Sequence, residues 1–116
     1  NVAGNDCSDF SYGNYNVHFA SLSSCGDKTI SIGENSKFNS NKAKLQNSIV
    51  GIATKDGSIA NFKNVDMLNM TTCVTAYRKK QEFYGGNLTV DNLSCENSKD
   101  IQVKDNFSEI FIKNLE

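Results

Sequence analysis

The charged residues of this chain that could bind a ligand follow three short apolar segments. Glu34 follows the first segment, Lys55 and Asp56 follow the second, and a run of three cations at residues 78–80 follows the third. Lysine and arginine bind carboxylates such as those of acidic sugars, and paired carboxylates can hold Ca²⁺. Glu34 and Asp56 are therefore the candidate calcium ligands, and no other cofactor is expected. The candidate ligand-binding residues are Lys55, Asp56, Tyr77, Arg78, Lys79, Lys80 and Tyr84.

The same charges also have a purely structural interpretation. If the three segments stack, Glu34 lies one layer from Asp56, and Lys55 lies near Arg78. Opposite charges would then alternate along one corner of the molecule. Exposed ion pairs of this kind contribute only about 0–1 kcal/mol each. A ladder of such pairs is therefore the alternative to a ligand site.

A spacing of 22 residues relates the segments that position these charges. Similar triplets begin at Ser8, Ile30, Ile52, Val74 and, after one longer gap, Ile101. Self-similarity at a short fixed period indicates a solenoid, in which each repeat buries its apolar face against its neighbours. Apolar and polar residues alternate within each repeat, which is typical of strands with one buried face. Leucine-rich repeats have a similar period, but the leucines here are too few and lack the required order.

The sequence therefore predicts an all-β fold, a right-handed parallel β-helix of about five coils. The coils start near residues 6, 26, 50, 73 and 97 of a single domain that covers residues 1–116. The expected inward columns are Ile30/Ile52/Val74/Ile101, Phe38/Ala60, Ala43/Val65/Leu93/Leu115 and Leu45/Met67/Cys95. A third column, Asn64/Asn92/Asn114, is interpreted as an asparagine ladder, in which side-chain amides hydrogen-bond along the stack.

An insertion of six residues interrupts the period within residues 78–86. This segment, called the insertion below, is expected to protrude from the stack. Its aromatic residues beside lysines could contact sugar rings and carboxylates. The alternative is that Phe83 folds back and covers the neighbouring coils.

The four cysteines are Cys7, Cys25, Cys73 and Cys95, which allow three disulfide pairings. The predicted register places Cys73 over Gly51 and Cys95 over Met67, so no two cysteines are direct neighbours on adjacent coils. Small buried thiols are therefore the expectation. No Cys-x-x-Cys or Cys/His cluster indicates zinc.

Three segments of this chain, residues 25–34, 50–58 and 73–86, together with residues 5–11, resemble successive coils of β-helices from bacterial secreted and cell-surface proteins, including those attached to CotH-type proteins. The resemblance covers roughly residues 5–97. It implies a pectin-lyase-like fold and a secreted or cell-surface location. It implies no activity, because this fold carries lyases, hydrolases, epimerases and adhesins alike.

No catalytic residue is predicted. Enzymes that resemble this chain usually display clustered Asp, Lys or Arg on the outward face of the first strand. The corresponding residues here are small and nearly neutral: Asp9, Ser31, Ala53, Thr75 and Gln102. His18 is the only histidine and has no partner at triad spacing. The expected function is therefore a non-catalytic carbohydrate-binding or scaffold module, and the alternative is a fragment of a polysaccharide lyase or epimerase acting on uronate-containing glycans.

Composition limits the partners. Twelve basic and thirteen acidic residues are interspersed and give a net charge of −1, so no basic stripe for nucleic acid is present. No apolar run approaches the ~20 residues of a membrane span. Because the chain lacks an initiator methionine, we expect it to be a piece of a longer polypeptide. Residues 1–4 are too short to cap the stack, which predicts contact with adjoining domains of that polypeptide or end-to-end self-association.

Overall fold

A computed structural model describes residues 6–116 and shows a parallel β-solenoid of about five turns. The prediction about a cap at residues 1–4 concerns residues outside this range. The strands are β1 (Ser8–Phe10), β2 (Asn14–Ser23), β3 (Lys28–Ile32), β4 (Lys37–Lys55), β5 (Ile59–Tyr77), β6 (Asn87–Glu96), β7 (Asp100–Lys104) and β8 (Glu109–Leu115). Within residues 6–116 no helix is long and apolar enough to cross a membrane.

The strand register confirms the period of 22 residues. In β4 and β5, Ile52 lies opposite Val74. The offset becomes 28 residues between β5 and β6, where Val65 lies opposite Leu93, and returns to 22 between β6 and β8. The six additional residues lie between β5 and β6, as the sequence predicted.

The predicted position of β7 was wrong by one residue. Val74 lies opposite Gln102 rather than Ile101, and Thr75 lies opposite Val103 rather than Gln102. The physical reason is that the insertion displaces every later residue by the same 28 positions. Ile101 and Val103 are consequently exposed by 39% and 48%, and neither belongs to the core.

The core lies between the two faces of the solenoid and consists of stacked apolar columns. Phe10, Phe38 and Phe62 form a continuous aromatic stack, with ring centroids 4.9 and 5.2 Å apart. The predicted columns at Ile30/Ile52/Val74, Phe38/Ala60 and Ala43/Val65/Leu93 are buried. Leu115 is exposed because it lies on the last strand, which no further described strand covers.

Two asparagine ladders connect the turns of the solenoid. In the predicted one, Asn92 donates to the Oδ1 atom of Asn64 and Asn114 donates to that of Asn92, each at 3.1 Å. A second ladder joins Asn47, Asn69 and Asn97 through their side-chain amides. Each residue of the second ladder has a positive φ, which asparagine tolerates better than most residues. The second ladder therefore marks the position where successive turns bend.

The expectation of free thiols was wrong, because two disulfides join Cys7 to Cys25 and Cys73 to Cys95. The predicted register was correct, since Met67 lies opposite Cys95. The mistake was to consider only neighbours along the stack. Cys73 and Cys95 instead bridge the core, with Cα atoms 6.4 Å apart. In the preceding turn Gly51 and Met67 face each other at the same place, where a Cβ atom on Gly51 would lie 2.4 Å from the Met67 sulfur.

Candidate functional site

One corner of the solenoid collects the turns that follow β1, β3, β4 and β5. These strands are parallel and in register, so their carboxyl ends meet at the same edge. The turn residues Tyr12, Asn35 and Asp56 have φ values near 50°, and Gly57 has a φ of 78°. Glycine is required at position 57 because a Cβ atom there would lie 2.4 Å from the Asn35 amide oxygen.

A cleft of about 240 Å³ lies at this corner and is called the corner cleft below. Five of the residues predicted from the sequence line it, namely Glu34, Lys55, Asp56, Lys79 and Lys80. Asp9, Ser11 and Gly33 complete its lining. The corner cleft thus combines three carboxylates with three ammonium groups, and its binding properties depend on which of them are already paired.

Asp56 fixes the insertion to the solenoid. Its side chain is fully buried, and its Oδ1 atom accepts hydrogen bonds from the backbone N–H groups of Lys79 and Lys80 at 2.7 and 2.9 Å. Its Oδ2 atom is buried and has no hydrogen-bond partner. The charge of Asp56 is therefore partly satisfied by backbone dipoles, which is a strong form of hydrogen bonding to a carboxylate.

Glu34 is paired with Lys80. The Lys80 ammonium donates to the Glu34 Oε2 atom, and this hydrogen bond lowers the pKa of the Glu34 carboxyl from its usual value of 4.5. The same bond raises the pKa of Lys80. Both groups are consequently charged near neutral pH, and each is largely neutralised by the other.

Lys55 and Lys79 are the lysines of the corner cleft that make no ion pair within residues 6–116. The Lys55 stem lies over Gly33, where a Cβ atom would be 2.6 Å from the Lys55 Cγ atom. Gly33 therefore provides the space that lets Lys55 lie along the cleft. Lys79 is held by its backbone bond to Asp56, while its side chain is exposed.

Three of the predicted ligand-binding residues do not line the corner cleft. Tyr77 is partly buried, and burial raises the pKa of its hydroxyl group. The Arg78 guanidinium lies over the Phe107 ring, 3.8 Å from its centroid, in contact with the last turn of the solenoid. Tyr84 is 87% exposed. The sequence placed these residues in one segment, but the turns within the insertion separate their side chains.

The insertion folds back against the solenoid. The Phe83 ring is partly buried and lies 6.3 Å from that of Tyr12, in agreement with the alternative in which Phe83 covers the neighbouring coils. Gly57 donates its N–H to the Gly85 carbonyl at 3.1 Å. A Cβ atom on Gly86 would lie 2.1 Å from the Thr54 carbonyl oxygen. The glycines at the end of the insertion thus allow its backbone to pack directly on the strand.

Four residues at the corner were missed by the sequence analysis: Asp9, Ser11, Tyr12 and Gly33. Asp9 had been assigned to the outward column that argued against catalysis, and its neighbourhood with Glu34 follows from the pairing of β1 with β3. Tyr12 has no sequence signal, since its position depends on where Phe83 packs. The register of β1 against β3 would have been sufficient to find Asp9 and Ser11.

The predicted outward column forms, but its central residues are inaccessible. Asp9, Ser31, Ala53 and Thr75 lie opposite one another on successive strands, and Ser31 and Ala53 are fully buried. Val103 occupies the position expected for Gln102. A ligand on this face could therefore reach Asp9 but not the small residues beside it.

No group of three or more His, Cys, Asp or Glu side chains suited to a metal ion occurs among residues 6–116. Glu34 and Asp56, the candidate calcium ligands, both line the corner cleft. Their Oε2 and Oδ1 atoms already accept hydrogen bonds from Lys80 and from the insertion backbone. A calcium ion at this position would need to displace the Lys80 ammonium.

A larger depression of about 370 Å³ lies beside the first asparagine ladder. It is lined by Lys42, Asn64, Val65, Asp66, Asn92, Leu93, Ser94 and Glu116. The amides of Asn64 and Asn92 are already engaged in the ladder. We give the corner cleft more weight, because it combines unpaired lysines with a buried carboxylate that orders the adjacent loop.

The chain matches no known protein-family model, no curated protein and no solved structure. The resemblance noted from the sequence therefore rests on its residues and on the solenoid fold, and the argument for function rests on the corner cleft.

Proposed function

We propose that this β-solenoid is a non-catalytic, secreted or cell-surface module whose corner cleft binds carboxylate groups of an acidic glycan. The observation that supports this proposal is the difference between the lysines at the corner. Lys80 is paired with Glu34, whereas Lys55 and Lys79 line the cleft without an ion-pair partner in the described part of the chain. Two unpaired ammonium groups beside a preformed cleft are suited to bind a carboxylate.

Aromatic surface adjoins these cations. Tyr12 is 65% exposed, packs against Phe83, and is close enough to Lys80 to raise the pKa of that lysine further. An aromatic ring presents an apolar face together with a polar group, which suits the mixed surface of a sugar. A uronate residue could therefore place its ring on Tyr12 and its carboxylate between the lysines.

The disulfides support the proposed location. Both pairs are formed in the structure, and disulfides persist mainly in oxidising compartments outside the cytosol. A module that meets extracellular glycans would be exposed to that environment.

Calorimetric titration with a uronate oligosaccharide and with its methyl-esterified counterpart tests the proposal. We expect the acidic oligosaccharide to bind and the esterified one to bind at least about tenfold more weakly, since a charged hydrogen bond contributes about 1.5–3 kcal/mol. The combined variant Lys55→Ala/Lys79→Ala should lose most of the affinity. High salt should weaken binding to the natural chain, because it screens exposed charges.

The matched control is Lys42→Ala/Lys63→Ala, which removes the same charge from exposed positions elsewhere on the solenoid. If the control loses as much affinity as the cleft variant, binding follows net charge and the site is elsewhere. Equal binding of the two oligosaccharides would contradict carboxylate recognition. Titrations with added calcium and with a chelator test whether Glu34 and Asp56 hold Ca²⁺.

A lyase or epimerase fragment is the alternative function. The unpaired Lys55 beside the cleft favours it, because a lysine can remove a proton next to a neutralised carboxylate. The inaccessibility of Ser31 and Ala53 argues against it. The same oligosaccharide samples distinguish the two, since β-elimination produces an unsaturated sugar that absorbs ultraviolet light and epimerisation changes the sugar's proton spectrum.

A further inference from the structure

The last turn of the solenoid exposes both strand edges and apolar side chains. Among the described strands, β7 pairs with β5 alone and β8 pairs with β6 alone, so each has one unpaired edge. The exposed large apolar residues of this turn are Ile101, Val103, Phe107, Phe111 and Leu115. The first described turn exposes Tyr12 and Phe19. An unpaired edge with apolar side chains is a template for pairing with another strand.

Both strands of the last turn have a charge pattern that is complementary to its own reverse. β8 contains Glu109-Ile110-Phe111-Ile112-Lys113, and β7 contains Asp100-Ile101-Gln102-Val103-Lys104. Each sequence consists of an acid, an apolar residue, a central residue, an apolar residue and a base. A second copy that runs antiparallel places each acid opposite a base and each apolar residue opposite an apolar residue.

The hydrogen-bonding direction of β8 fits the same register. Glu109 donates its N–H to Gly86 on the preceding turn at 3.0 Å. Because successive residues direct their backbone groups to alternate edges, Ile110 and Ile112 direct theirs toward the unpaired edge. In an antiparallel pair with Phe111 opposite its own copy, Ile110 and Ile112 of the two copies exchange both N–H···O bonds.

Burial supports this register as well. Ile110 and Ile112 pack partly against the core, while Glu109 and Phe111 are exposed. Directly opposite residues of an antiparallel pair lie on the same face, so the two isoleucines would extend the core across the junction. If the axis passed through Ile112 instead, Lys113 would face Phe111 and the charge pairing would be lost.

We propose that two copies of this chain dock through their last turns, related by a two-fold axis that crosses β8 at Phe111 and β7 at Gln102. In β7, Lys99 and Asp105 direct their N–H groups to the preceding turn, which leaves Asp100, Gln102 and Lys104 facing the unpaired edge. The same axis therefore pairs Asp100 with Lys104. The contact uses one surface of each copy and closes on itself.

A head-to-tail arrangement is the other possible contact between copies. It would place the last turn of one copy on β1 and β2 of the next and would generate open filaments rather than a closed pair. β2 carries no acid or base between Asn14 and Ser23 except His18. It therefore offers no charges to complement those of β8, and the two-fold arrangement is favoured.

Charge-reversal variants of the full chain test the proposal. Light scattering at tens of micromolar should show a dimer for the natural chain. Glu109→Lys and Lys113→Glu should each weaken dimerisation at least tenfold, because each places like charges opposite one another twice. Lys113 also lies 3.4 Å from Asp91 within its own chain, so circular dichroism must confirm that the variants fold.

Mixing the two variants distinguishes the proposed register from nonspecific association. The Glu109→Lys chain has two lysines and the Lys113→Glu chain has two glutamates at the paired positions, so the mixture should form a heterodimer although neither variant pairs with itself. The combined Glu109→Lys/Lys113→Glu chain should dimerise again. A folded natural chain that stays monomeric, or variants that fail to recover in the mixture, would overturn the proposal.

Cross-linking locates the axis. Phe111→Cys should form a disulfide between copies under mild oxidation, because position 111 lies on the axis. Leu115→Cys is the matched control, since the two copies of residue 115 would lie roughly 26 Å apart at about 3.3 Å per residue. Filaments, or stronger cross-linking at position 115 than at position 111, would contradict the two-fold register.

Discussion

Asp56 connects the solenoid to the insertion at the level of a single residue. The sequence identified it as a ligand candidate because it is a carboxylate among cations. In the structure its Oδ1 atom accepts two backbone N–H groups from the insertion, and its side chain is inaccessible. Sequence spacing cannot separate these roles, because both require an acid at the end of a strand. Asp56 is therefore a positioning residue for Lys79 in the proposed site.

Asp56→Ala should release the insertion while the rest of the solenoid stays folded. Removal of the carboxylate leaves two N–H groups without their acceptor, which should cost about 1–3 kcal/mol of local stability. Hydrogen exchange of the Lys79 and Lys80 amides measures this directly. Glu82→Ala, an exposed acid in the same insertion, is the control. Unchanged exchange in the Asp56 variant would show that other contacts hold the insertion.

Ile52 is the residue whose burial the repeat predicted most directly, and it is fully buried. Ile52→Ala should lower the free energy of unfolding by about 2–5 kcal/mol, because it leaves a cavity in a packed core. Ile49→Ala on the same strand removes an equally large side chain that is half exposed, and it should cost much less. Urea denaturation of both variants tests the difference, and similar losses would mean that the core position was wrongly assigned.

At the scale of elements, the columns were predictable and the bridges across the core were not. Inward columns and the Asn64/Asn92/Asn114 ladder depend on register alone, which the 22-residue period supplies. The disulfide between Cys73 and Cys95 depends on the distance between the two faces of one turn, which the period does not contain. The contact between Gly51 and Met67 in the preceding turn shows that the faces meet there.

The Cys73–Cys95 disulfide should contribute substantially to stability. Closing a loop of this length is expected to stabilise the folded state by about 3 kcal/mol relative to the open chain. The combined variant Cys73→Ser/Cys95→Ser should therefore unfold at a lower denaturant concentration. The Cys7–Cys25 pair can be removed in parallel as a comparison near the first turn. If reduction leaves the transition of the natural chain unchanged, the disulfides do not form in solution.

At the scale of the whole molecule, the fold could be predicted because the repeats agree with one another. Stacked turns with the same spacing leave few alternatives to a parallel solenoid, and the insertion was located by the change of offset from 22 to 28. The error at β7 shows the limit of this approach. Without a covering turn, the apolar residues of β7 carry no burial signal, so alternation alone could not fix their position. The position of Phe83 against Tyr12 depends on tertiary packing and was left as one of two alternatives.

The change of offset at the insertion also makes this corner a natural position for loop exchange. Six residues are added between β5 and β6, yet the strands on both sides keep their partners and the asparagine ladders continue past the addition. Loops of other lengths could therefore replace residues 78–86 without altering the strand register, provided that Gly85 and Gly86 remain to pack against the strand. The solenoid is accordingly a scaffold on which new binding loops can be displayed at one defined corner while its framework stays constant.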